Sequence, residues 1–312
     1  MKTKLPVASC KLQVSCGSPA LRTTFNLQPS TCNSRRAFSL VEVLVVISLL
    51  SLIVLALMQV FSTTQQAFRA SVTQQDVLEG SRATMDMITA DLRQLVPSDN
   101  ASNGAVNFSV VANAYDYAPL VQNLPGSSVP RQNLLNYFFV LGRNNTTWSG
   151  TGYIVNTATN NPLYPLYRFY AQTNIENSPV TLFNAFSDTV KFGQWTNMSH
   201  VMDGVVHLVV RAYDTNGVWI NNYYRPCTNV QNTLFFSTPQ SYGEAQFYMY
   251  SNAVPAAVEL QLGVLEDRAL ARAESLPFQS APQWNYLTNQ SGAVHLFRQR
   301  VTIQNVDPSA YQ

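Results

Sequence analysis

Arg35-Arg36-Ala37-Phe38-Ser39-Leu40-Val41-Glu42 opens an apolar run that continues as Val43-Leu44-Val45-Val46-Ile47-Ser48-Leu49-Leu50-Ser51-Leu52-Ile53-Val54-Leu55-Ala56-Leu57-Met58. About 20 such residues are enough to cross a hydrocarbon core as a helix. The pair Arg35-Arg36 stands before the run, and a basic flank stays on the cytoplasmic side. The reading is one membrane pass, N-terminus inside, with everything after Met58 outside. Glu42 is the one ionisable group within the run. An acid at the centre of such a helix costs about 2.5–3.5 kcal/mol on insertion scales, and less toward an end. Intramembrane acids usually have a partner and a function. The plainer alternative is that Glu42 snorkels to the interface and does nothing further.

Outward from this stretch the composition is uneven. The 312 residues carry 19 Lys+Arg and 17 Asp+Glu, a formal charge of +2. Residues 1–37 hold six of the bases (Lys2, Lys4, Lys11, Arg22, Arg35, Arg36) and no acid, so residues 38–312 have 13 basic and 17 acidic groups. Charged residues are 12% of the chain, against roughly 25% in an ordinary domain. That excludes a basic nucleic-acid stripe and an acidic disordered tail, and no nucleic-acid partner is evident. A hydrophobic fraction of 46%, with 15 Tyr and 16 Phe, excludes general disorder. Cys10, Cys16 and Cys32 precede Phe38 and only Cys227 follows it. A chain beginning at Phe38 would therefore have one thiol, no internal disulfide and no zinc site built from several thiolates.

Arg35-Arg36-Ala37-Phe38-Ser39-Leu40-Val41-Glu42 and the apolar run behind it resemble the cleavage and methylation signal of type IV prepilins and type II secretion pseudopilins. The resemblance implies that a prepilin peptidase cuts between Ala37 and Phe38 and methylates the new Phe38 amine. Ala37 stands where the family normally has Gly. Glu42 becomes the fifth mature residue, four positions after a cationic amine and on the same helical face. It could pair with that amine or with the amine of a neighbouring subunit, so that assembly is sequential and fixed in register. The implied partners are the peptidase/methylase, other pilin-like subunits, membrane lipid and, indirectly, an inner-membrane assembly platform with its ATPase. A twin-arginine export signal is the rival reading of Ser34-Arg35-Arg36-Ala37-Phe38. Glu42 interrupts its early apolar region, and no A-x-A-type cleavage site follows the run.

Beyond Met58 the helix continues. From Gln59 to Leu95 there is no proline and one glycine, Gly80. Apolar residues recur at Phe61, Phe68, Val72, Leu78, Met85, Ile88, Leu92 and Leu95, and from Leu78 the spacing is helical. Pro97 ends the pattern. The expectation is one helix over about Phe38–Leu95, apolar all round in its first half and amphipathic in its second. Asp91-Leu92-Arg93-Gln94 at its close is similar to the corresponding segment of J-type minor pilin-like subunits, called W-type in pilus systems.

The remainder predicts an α+β protein whose long N-terminal helix precedes mostly antiparallel strands. Strands are expected at Phe108–Val111, Leu134–Leu141, Tyr164–Tyr170, Val205–Tyr213, Gln246–Tyr250, Val258–Leu265 and Val294–Ile303, with a helix over Glu266–Glu274. Asp214-Thr215-Asn216-Gly217 reads as a hairpin turn rather than a calcium loop, because the closing Glu of an EF-hand is absent. Asp203–Asp214, Pro255–Leu262 and Leu262-Gly263-Val264-Leu265-Glu266 resemble J-type and W-type heads and the Verru_Chthon cassette protein C family of pilin-like proteins. The expected organisation is a leader at 1–37, a membrane half-helix at 38–58, an amphipathic half at 59–96 and a head at 97–312.

A catalytic set does not emerge. His200, His207 and His295 are the three histidines, and none has metal-ligand spacing. His207, inside an apolar strand, reads as a packed histidine. There is no G-x-S-x-G, phosphate loop or dinucleotide fingerprint, so no catalytic residue, metal or cofactor is expected. Cys227 reads as an inert thiol. Tyr137-Phe138-Phe139, Tyr164–Tyr170 and Tyr223-Tyr224 read first as core and sheet packing, although such rings also stack sugars or peptides. Two functional readings follow. One is a minor prepilin-like subunit of a type II secretion pseudopilus or type IV pilus-like filament, placed at its tip or in initiation. The other is an anchored or exported β-rich binding module for a glycan or protein.

Overall fold

The computed structural model describes residues 39–98, 104–112, 120–221, 224, 234–236 and 246–311. Arg35, Arg36, Ala37, Phe38, Tyr223 and all four cysteines lie outside them.

Helix α1 spans Leu40–Arg93. Ser39 caps it: its carbonyl accepts from the Glu42 N–H at 3.0 Å and its Oγ from the same N–H at 3.3 Å. Ser39 and Glu42 thus occupy the N-cap and N3 positions, and a carboxylate in the first turn complements the helix dipole.

A different logic governs the last turns. Val77, Met85, Ile88 and Leu92 are buried on one face, with Leu95 just past the helix end. With the buried Ser81 between Val77 and Met85, a buried residue recurs every three or four positions, and that makes the stripe. It starts at Val77, one residue before the sequence expectation, and Leu78 is half-buried. Phe61, Phe68 and Val72 are exposed and do not join it. Ser81 and Thr84 sit in the stripe with their hydroxyls bonded to the Val77 and Gly80 carbonyls at 2.7 and 2.9 Å, whereas the buried Thr89 hydroxyl has no partner among the described residues.

Two antiparallel sheets follow. The strands are β1 (Val106–Ala112), β2 (Leu120–Gln122), β3 (Arg131–Asn133), β4 (Asn136–Asn144), β5 (Thr147–Val155), β6 (Leu166–Asn174), β7 (Ser199–Met202), β8 (Val205–Tyr213), β9 (Leu234–Phe236), β10 (Phe247–Tyr250), β11 (Ala257–Leu265) and β12 (Val294–Thr302). Among the described residues the larger sheet has the order β7-β6-β5-β4-β1-β10-β9, and the smaller β12-β11-β8; β2 and β3 form a ribbon. The α+β expectation holds, and every strand expected from the sequence forms. So does the helix, α3 (Asp267–Glu274), with Glu266 as its N-cap.

Both faces of the larger sheet are covered, and the sequence of β4 shows it. Phe138 and Val140 enter one core with Ile88, Leu92, Leu208 and Leu260; Phe139 and Leu141 enter a second with Leu182 and Phe186. Strands buried on both faces read as continuous apolar runs. The first core is shared by the end of α1, the larger sheet and the smaller sheet. The second is closed by α2 (Val180–Lys191), a helix the sequence reading missed, as it also missed β5, β7, β9, the ribbon and α4 (Ala281–Thr288).

α2 and β5 depend on one another. A Cβ on Gly152 would lie 2.4 Å from Phe186 Cε2, and one on Gly150 would lie 2.9 Å from Leu182 Cβ. The two glycines let α2 come down onto the strand. The Asp214 turn forms as expected: Oδ1 accepts from the Asn216 and Val218 N–H groups at 2.9 and 2.7 Å, and Oδ2 from the Tyr224 hydroxyl at 3.0 Å.

Candidate functional site: the N-terminal helix and its seat on the head

The first stretch of α1 exposes every residue from Leu40 to Phe61. Leu44, Ile47, Leu50, Leu52, Ile53, Leu55 and Met58 are each more than half exposed. An 18-residue window of this helix has a mean hydropathy of 3.0 with none of it buried. Leaving such side chains in water forgoes about 1.5–3 kcal/mol apiece. By length and composition the helix can cross a membrane. Its polar interruptions are compatible with that: the Ser48 hydroxyl donates to the Val45 carbonyl at 2.8 Å, and Ser51 to Ile47 at 2.9 Å. Both serines are satisfied inside the helix, as hydrocarbon requires.

Of the sequence-derived site residues, Glu42 alone is described; Arg35, Arg36, Ala37 and Phe38 fall before the described residues. Glu42 is exposed in the first turn of α1, where its backbone completes the Ser39 cap. Its carboxylate forms no ion pair with a described residue. A lone carboxylate in an apolar surface is costly unless a cation meets it.

At the far end of α1, Asp91 is the residue whose role the sequence did not disclose. It is 8% exposed. The Arg168 guanidinium of β6 grips it with two bonds, Nε to Oδ2 and Nη2 to Oδ1, both 2.9 Å. The Tyr153 hydroxyl of β5 donates to Oδ2, and Arg168 Nε also reaches the Tyr153 oxygen at 3.2 Å. The hydrogen bond to Asp91 holds the Arg168 guanidinium well above its ordinary range despite partial burial. Burial, reinforced by Asp91, drives the Tyr153 phenol up. A bidentate pair with a third donor fixes both position and angle. Two residues past Arg93, Leu95 bridges to Gly142, and the Val96 N–H donates to the Leu141 carbonyl at 3.1 Å. The signal for this seat was an acid on the buried side of an amphipathic helix; its partners lie 62 and 77 residues away.

His207 is a packed histidine, as expected. It is 7% exposed, and its Nδ1 accepts from the Leu134 N–H at 3.2 Å. Burial pushes its pKa down to about 4, against a smaller opposing effect of a Gln261 hydrogen bond. The ring is therefore neutral in the folded head.

Residues 32–58 match the family model described as the prokaryotic N-terminal methylation motif. The N-terminal segment is therefore type IV prepilin-like, and among the described residues its one long apolar helix fits an inner-membrane anchor. No curated protein and no solved structure matches the chain.

Proposed function

We propose that this protein is a minor prepilin-like subunit that enters the inner membrane N-in/C-out, is cut by prepilin peptidase, and joins a type II secretion pseudopilus or type IV pilus-like filament. The observation that carries the reading is the coincidence of the methylation motif at 32–58 with a helix stretch exposed on all sides. In this reading residues 1–37 are a leader, 38–58 the membrane half-helix, 59–96 the amphipathic half and 97–312 the head. Cleavage falls between Ala37 and Phe38, with Arg35-Arg36 holding the leader in the cytoplasm. Lipid covers the apolar half first, and neighbouring subunits replace lipid on assembly. Glu42 meets the Phe38 amine, its own or a neighbour's, and fixes register. A head-to-tail contact that does not close gives an open helical filament. An inner-membrane assembly platform and its ATPase are indirect partners in this reading. The J-type or W-type likeness, and with it a place at the tip or in initiation, rests on the head motifs of the sequence. The subunit's work is mechanical, and no reaction is assigned to it.

Intact-mass and N-terminal peptide analysis of protein from native membranes tests the processing. A chain beginning at N-methylated Phe38 is expected; an uncut leader, or cleavage near Met58, overturns the reading. Glu42→Val tests the charge. We expect membrane insertion to persist and incorporation into filaments to be lost, whereas normal incorporation removes Glu42 from the mechanism.

A further inference from the structure

On the face of the larger sheet that α2 covers, a cleft of about 460 Å³ opens between α2, the residues after β5 and the helical turn at Trp195–Asn197. Its volume falls in the range of roughly 300–1,000 Å³ typical of small-ligand sites. Four half-buried rings wall it: Tyr137, Phe183, Trp195 and Tyr248. They are held by other rings. Phe183 meets Tyr248 edge-on at 5.9 Å, and Trp195 lies against Tyr167 at 5.4 Å.

Besides its hydroxyls, which both donate and accept, the side-chain polar groups of the cleft donate. The Trp195 indole N–H has no hydrogen-bond partner among the described residues, and the Lys191 ammonium is in no salt bridge, lying 5.5 Å from the Phe192 ring. Asn156 spends its side-chain oxygen on the Ala158 N–H at 2.9 Å, which leaves its NH2 group to donate. Ser187 adds an exposed hydroxyl on α2. No Asp or Glu lines the cleft. Such a site suits a ligand that has an apolar C–H face for the rings, many acceptor oxygens and a negative charge. A pyranose ring carrying a carboxylate has all three. A bare phosphate would leave the aromatic walls unused. An acidic peptide would bring backbone N–H groups to a lining without carboxylates.

We propose that this cleft binds a saccharide bearing a carboxylate, its C–H face on Trp195 and its carboxylate on Lys191. The site belongs to the head, and it operates whether or not the chain is assembled into a filament. The test titrates the detergent-solubilised full chain with galacturonate and hyaluronate tetrasaccharides and sialyllactose, followed by tryptophan fluorescence and calorimetry. Cellotetraose and hexaglutamate serve as neutral and peptide controls. We expect saturable binding of at least one acidic saccharide, no more than weak binding of the controls, and loss of about tenfold in affinity in Lys191→Gln. Trp195→Ala should abolish the fluorescence response. Because that change also removes packing against Tyr167, Ser187→Asp on the exposed face of α2 provides a second variant. It places a negative charge in the cleft without touching either core, and should abolish binding with an unchanged melting temperature. The proposal is overturned by absence of saturable binding across the three acidic saccharides, by equal binding of hexaglutamate, or by binding that survives both Lys191→Gln and Ser187→Asp.

Discussion

The first stretch of α1 and the head treat apolar side chains in opposite ways. From Leu40 to Met58 the apolar groups are exposed on every side of the helix; from Val77 onward they lie on one face and disappear into a core. Backbone conformation is the same in both, so helix propensity does not distinguish them. What differs is where the unsatisfied demand lies. The first stretch needs another molecule, lipid or protein, and the second is satisfied by strands of its own chain. A helix that is greasy all round belongs in a membrane or among other helices, and one with a stripe belongs on a surface.

That contrast can be attacked through single substitutions. The largest effect is expected at Asp91→Ala, which strands the Arg168 guanidinium and the Tyr153 hydroxyl inside the head. Removing one partner of a buried pair costs about 3–5 kcal/mol, and denaturant unfolding of the detergent-solubilised protein should show the loss. A matched pair comes next. Leu92→Ala should cost about 2–5 kcal/mol of head stability. Leu50→Ala should leave it within about 0.5 kcal/mol while altering membrane or subunit contacts. Equal losses from the two would dissolve the comparison.

A pH titration probes the head through one buried ring. The unfolded His207 ring titrates near 6.5, whereas burial holds the folded ring near 4. Between those values the unfolded chain binds a proton that the folded head does not. Stability from this group is therefore complete above about pH 6.5 and declines as the pH falls toward 4, by about 3 kcal/mol in all. Gln261 bonds to the ring, and Arg131 and Arg211 oppose its protonation. His207→Asn should flatten the slope in that window. Among the substitutions in the head the smallest loss is expected at Gly152→Ala, where the new methyl group meets the Phe186 ring. Overpacking of this kind costs about 1–3 kcal/mol and should lower the melting temperature without changing membrane insertion.

The two regions were also unequally legible. The membrane stretch was readable because its chemistry is one-dimensional: length, apolarity and a single acid can be read along the chain without knowing what folds where. The strands of β8, β11 and β12 were readable for a related reason, since β-branched and aromatic residues bounded by turns carry a local pattern. β5 was hidden by Gly150 and Gly152, which argue against a strand until α2 is known to press on them. α2 was hidden by its Asn, Ser and Thr, although Leu182, Phe186 and Val190 stand four apart. The Asp91–Arg168–Tyr153 seat was not legible, because nothing local to Asp91 names partners from β5 and β6.

The seat of α1 has a mechanical meaning. Asp91 is bonded to Tyr153 on β5 and Arg168 on β6, and Val96 is bonded to β4 through the Leu141 carbonyl. These three strands are neighbours in one sheet. Tension arriving along the last turn of α1 is therefore divided among three adjacent strands rather than carried by the loop that follows the helix. The strands are tied to one another along most of their length, so the load spreads sideways before any single bond has to bear it. A pull on this end of the helix is in this way taken up by the middle of one sheet.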